Sequence, residues 1–120
     1  MERIRVIAHQ GQRILLVDCS DCKADEIAKL SDELPKIVTQ EPKSSVLLLA
    51  DFTHSQLSRE VMERIKIAAV FNRPHLKRSA WVLTGNLPKP ALSTVEKFST
   101  REIPVFGTRE EALDYLVKES

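Results

Sequence analysis

Several things are scarce in this chain, and each absence narrows the reading. Two cysteines, Cys19 and Cys22, are too few for the disulfide framework of a small secreted domain. One Trp, one Tyr and four Phe are too few for a base-stacking platform. A net charge of +1 gives no electrostatic drive toward nucleic acid or an anionic membrane. No apolar run approaches the roughly 20 residues that a membrane helix needs, and residues 46–50 are among the longest. The first residues, Met1-Glu2-Arg3-Ile4-Arg5, carry no hydrophobic core of a signal peptide, so a cytoplasmic protein is expected. Glycine is nearly absent, and Thr84-Gly85-Asn86 matches neither G-x-G-x-x-G nor a phosphate-binding loop. No Ser-His-Asp or paired-glutamate arrangement is legible, and the expectation is a chain that is not an enzyme and carries no cofactor.

What is present is a rhythm. Short apolar segments at 13–18, 45–50, 79–84 and 103–106 are each followed by a stretch with helical period. Strand-then-helix repetition predicts an α/β fold, a mixed but mostly parallel sheet of four or five strands with about four helices, in one domain over 1–120. Residues 4–8 alternate charge and apolarity and, with a turn at Gln10-Gly11-Gln12, predict an N-terminal hairpin. The first helix is expected from Ala24, with Ile27, Leu30 and Leu34 on its inner face. Pro35 is expected to end it and start a short turn carrying Ile37 and Val38. Thr53 or Ser55 is the expected cap of the second helix, which carries Leu57, Val61, Ile65, Ala68 and Ala69 inward and an exposed Glu60–Arg64 pair. Leu92, Val95 and Phe98 give a third, and Thr108-Arg109-Glu110-Glu111 is a capping box for a fourth.

Three segments together resemble a known family. They are Lys77-Arg78-Ser79-Ala80-Trp81-Val82-Leu83-Thr84-Gly85, then Val95-Glu96-Lys97-Phe98-Ser99, then Phe106-Gly107-Thr108-Arg109-Glu110-Glu111-Ala112-Leu113-Asp114-Tyr115-Leu116. With Val17-Asp18 and Leu49-Ala50-Asp51, the pattern looks like the small bacterial SpoIIAA-like (STAS/SEC14-type) proteins. The resemblance implies a β/α superhelix after a short hairpin, and a regulatory, protein-binding role. Relatives of this type accept phosphate on a serine in an Asp-Ser-Ser-Gly run, which implies Ser55 as the phosphorylated residue and Thr53 as a neighbouring hydroxyl. The run here reads Asp51-Phe52-Thr53-His54-Ser55-Gln56-Leu57-Ser58, without the acidic residue before the serine or the glycine after it.

Open α/β sheets bind ligands beyond the carboxyl ends of their strands. The candidate binding residues are therefore Asp18, Asp51, Thr53, His54, Ser55, Thr84, Asn86 and Arg109, facing a protein partner or a small ligand. A homodimer is compatible with this reading. Other chemistries compete with it. Cys19-Ser20-Asp21-Cys22 places a C-x-x-C before a helix, where a thiol pKa can be lowered for redox work. With His54 and Asp51, the same cysteines offer four candidate zinc ligands at two strand ends. Asp18, Asp51 and Thr84 end successive strands as in phospho-receiver domains, but a second acid beside the first and a lysine after the last strand are missing. An apolar-ligand carrier would need a cleft lined by Phe52, Phe71 and aliphatic residues. Arg73, His75, Lys77 and Arg78 form a basic run that reads as a solvated loop, with docking of an acidic partner as the alternative.

Overall fold

A computed structural model of the chain describes residues 3–83 and 104–118. Its centre is a five-stranded sheet in the order β1-β2-β3-β4-β5. Strand β1 (Ile4–His9) runs antiparallel to β2 (Gln12–Asp18). Strands β2, β3 (Val46–Asp51), β4 (Leu76–Val82) and β5 (Val105–Phe106) are mutually parallel. The hairpin turns at Gln10 and Gly11, with φ of 50° and 78°. Two consecutive left-handed residues give a two-residue turn whose twist matches the strands it joins, and glycine takes that conformation without strain.

Helices α1 (Ala24–Val38) and α2 (Arg59–Asn72) lie against one face of the sheet, and α3 (Arg109–Val117) against the other. This explains why β2 and β3 are apolar on both faces. Leu15, Val17, Leu48 and Ala50 pack with Ile27, Leu34, Val61 and Ile65, while Ile14, Leu16, Leu47 and Leu49 pack with Ala112, Leu116 and Val117. Burial of Ile14, Leu16, Ile27, Leu49 and Leu116 is complete or nearly so. At about 1.5–3 kcal/mol each, these side chains supply a large share of the driving force.

The α/β class and the mostly parallel sheet are as the alternating pattern predicts. The details differ in four places. First, α1 does not stop at Pro35 but runs through it to Val38. The proline removes one amide near the helix end, and Val38 is fully buried, so core contact outweighs the missing bond. Second, neither Thr53 nor Ser55 caps α2: Ser58 does, its hydroxyl accepting from the Val61 amide at 3.2 Å. Third, Arg64 reaches across to Asp32 on α1 rather than to Glu60. Fourth, β4 begins at Leu76, because Lys77 and Arg78 are strand residues whose polar side chains lie outside the core. The expected capping box of α3 is present in altered form. The Thr108 hydroxyl accepts from the Glu111 amide at 3.2 Å and itself donates to the Glu111 carboxylate at 2.9 Å. Three α-helices and one 3₁₀ turn (Arg73–His75) occur among the described residues. The helix expected around Leu92, Val95 and Phe98 lies outside them, as do Thr84 and Asn86.

Candidate functional site

Strands β2 and β3 end in register, Asp18 opposite Asp51. Each aspartate is followed two residues later by a hydroxyl: Asp18-Cys19-Ser20 and Asp51-Phe52-Thr53. The two segments make the same turn. Asp18 Oδ1 accepts from the Ser20 amide at 3.1 Å and its hydroxyl at 2.5 Å. Asp51 Oδ1 accepts from the Thr53 amide at 2.9 Å and its hydroxyl at 2.6 Å. Aspartate favours such turns because its carboxylate replaces a backbone acceptor. The loops are also tied to each other: the Cys19 amide donates to Asp51 O, and the Asp21 amide to Thr53 O.

This geometry leaves the outer carboxylate oxygens free for cations. Arg109, the first residue of α3, donates from Nε at 2.9 Å and Nη2 at 2.6 Å to Asp51 Oδ2. The same Nη2 lies 3.5 Å from Asp18 Oδ1. A cation at a helix N-terminus opposes the helix dipole. It is held there by Asp51, whose side chain is only 5% exposed. Arg5 Nη1 approaches Asp18 Oδ2 at 3.6 Å. Arg3 donates to the backbone oxygens of Asp18 at 3.2 Å and Ser20 at 2.9 Å. Three guanidinium groups thus surround the two carboxylates of Asp18 and Asp51.

Burial alone would push the Asp18 carboxyl upward. Hydrogen bonds from Ser20 and the charges of Arg109 and Arg5 outweigh it and hold the group below its ordinary value. Asp18 is therefore a fixed carboxylate rather than a proton donor. The Ser20 and Thr53 hydroxyls each donate to an aspartate, and the lowered pKa of Asp18 makes it a weak proton acceptor. The arrangement can present a rigid charged surface.

Of the residues expected at this edge, Asp18, Asp51, Thr53 and Arg109 come together. His54 is exposed on the adjoining loop with φ of 52°. Ser55 donates its hydroxyl to Phe52 O at 2.7 Å and stands three residues before the α2 cap, not at the helix start that would favour a phosphate. Arg3, Arg5 and Ser20 belong to the cluster although the strand-end reading did not include them. The repeated Asp-x-Ser/Thr at two strand ends was the available signal. The other histidines have partners that separation hides: His9 Nε2 meets Asp114 at 2.9 Å, and His75 Nδ1 meets Glu41 O at 2.7 Å.

Cys19 and Cys22 are both free, 2% and 1% exposed. Burial pushes the Cys19 thiol up to about 12, with the neighbouring Cys22 and Asp18 adding to the effect. Cys22 is raised as well, again chiefly by burial. Loss of hydration outweighs any helix-end effect, since α1 begins beyond Cys22 at Ala24. This is the reverse of an activated thiol. Among the described residues no three of His, Cys, Asp and Glu converge so as to hold a metal ion. No described helix is long and apolar enough to cross a membrane.

No family model, no curated protein and no solved structure matches the chain.

Proposed function

We propose that this chain is a non-enzymatic binding and regulatory module of the prokaryotic cytoplasm, of the SpoIIAA-like (STAS) type, that recognises a protein partner through the loops at the carboxyl ends of β2 and β3. The observation that supports this reading is the clamp of Arg109 on buried Asp51. It fixes a guanidinium that is 36% exposed beside two rigid turns. A positioned cation of this kind gives orientation and specificity to a contact at little ordering cost. The exposed part of the Arg109 guanidinium favours a carboxylate of the partner at that point.

Site-specific photocrosslinking tests the reading. A photoreactive residue replaces exposed His54 in one protein and exposed Lys43, at the opposite end of the sheet, in another. Exposure in cells should give a discrete adduct from position 54 alone, and Arg109→Glu should abolish it. Equal labelling from both positions, or an adduct indifferent to Arg109→Glu, contradicts the assignment.

A further inference from the structure

Between the sheet and helices α1 and α2 lies an apolar pocket of about 80 Å³. Leu34, Leu48, Phe52, Ile65, Leu76 and Trp81 form much of its wall. Phe71 does not contribute; it is 59% exposed on α2. One lining residue is out of character. Asn72, the last residue of α2, is 2% exposed, and its side-chain Oδ1 has no hydrogen-bond partner among the described residues. Burying an unpartnered amide acceptor is destabilising, and a leucine at this position would fill the wall without that cost. Ser31, also in the wall, offers no relief, because its hydroxyl already donates to Ile27 O at 2.9 Å.

We propose that this pocket is a binding site for a small aliphatic amphiphile carrying one hydrogen-bond donor, an alcohol in the simplest case, with the donor on Asn72 Oδ1 and the carbon chain among Leu34, Leu48, Phe52 and Trp81. The volume is about half of the ~150 Å³ that accommodates benzene in an engineered protein cavity, so the enclosed part of the ligand is a chain of a few carbons. A donor on Asn72 Oδ1 satisfies the one buried side-chain polar atom left without a partner among the described residues, and the wall supplies the apolar contact that small-molecule sites rely on. This site is separate from the arginine cluster and does not depend on the binding role assigned to it.

The isomers 1-butanol and methyl propyl ether provide the test, since only the alcohol carries a donor. Trp81, the single tryptophan, reports from the pocket wall. Its emission is followed during titration, together with the NMR signals of the Leu34 and Leu48 methyls and the Asn72 side-chain amide. Saturable binding of 1-butanol at these signals, about tenfold or more tighter than the ether, is the expected result. Asn72→Ala should remove that preference while keeping room for both. Equal affinities in the unaltered protein overturn the proposal without need of the variant. So does an absence of saturable shifts at the pocket methyls, or an Asn72 amide that keeps an unexchanged bound water throughout the butanol titration.

Discussion

Replacing Arg109 with Met keeps an aliphatic side chain at the start of α3 but removes both donors from Asp51. Asp51 is 5% exposed at its side chain, so its carboxylate cannot regain full hydration. Breaking a fully buried ion pair costs about 3–5 kcal/mol, and an exposed pair is worth about 0.2–1 kcal/mol. This pair lies between those limits. Arg109 is 36% exposed, and Asp51 Oδ1 keeps its two bonds from Thr53. A loss of about 2–3 kcal/mol follows. With a urea m-value of about 1.5 kcal/mol/M, the unfolding midpoint should fall by roughly 1.3–2 M. Arg109→Lys retains charge without the paired donors and should lose about half as much. In a double-mutant cycle with Asp51→Asn, the two losses should fall short of additivity by at least ~1 kcal/mol. A midpoint for Arg109→Met within ~0.3 M of the original would refute the reasoning and reduce the cluster to an ordinary surface ion pair.

Four further outcomes follow. Cys19 and Cys22 should resist iodoacetamide in the native protein at pH 8 and react only at the rate of unfolding; rapid labelling would contradict their burial and raised thiol pKa. The same thiols ionise near 9 when unfolded, so the Cys19 contribution to stability should be intact below pH 9 and be lost as pH rises from there toward 12, which Cys19→Ala should flatten in an alkaline unfolding series. Asp18 has the opposite sign: its folded pKa lies below the ordinary 3.8, so its contribution is present above that pH and is lost as pH falls through the folded value, and Asp18→Asn should show a shallower acid-unfolding curve. Pro35→Ala should stabilise by about 1–2 kcal/mol in urea unfolding by restoring an amide inside α1, and a loss of stability would show that the proline is fitted to its site.

The sequence disclosed the sheet more readily than its edges. Strands β2 and β3 announce themselves because both faces are covered, which makes them continuous apolar runs. Strand β4 starts three residues before its apolar stretch. Its charged residues look like loop, yet Arg78 lies along α3, donating to Tyr115 O at 3.2 Å with its guanidinium 5.9 Å from the Tyr115 ring centre. Pro35 reads as a helix stop by local backbone preference, but the tertiary contact of buried Val38 carries α1 past it. At the site, Asp18 and Asp51 were legible as strand ends, and Arg109 as part of a helix start. Their union was not, since Arg109 and Asp51 are 58 residues apart. Arg3 and Arg5 enter only through hairpin register, in which Ile4 pairs with Val17 and Arg5 with Leu16. Asn72 gave no sign at all: an amide at a helix end reads as a cap until burial is known.

Under the proposed function, the partner binds at the carboxyl ends of β2 and β3. Amide hydrogen exchange of this chain, alone and with the protein captured through position 54, measures that directly. Protection concentrated in residues 18–23, 51–56 and 107–110 is the predicted result. Protection centred instead on the exposed apolar residues Ile67, Val70 and Phe71 of α2, with the strand-end loops unchanged, would contradict it.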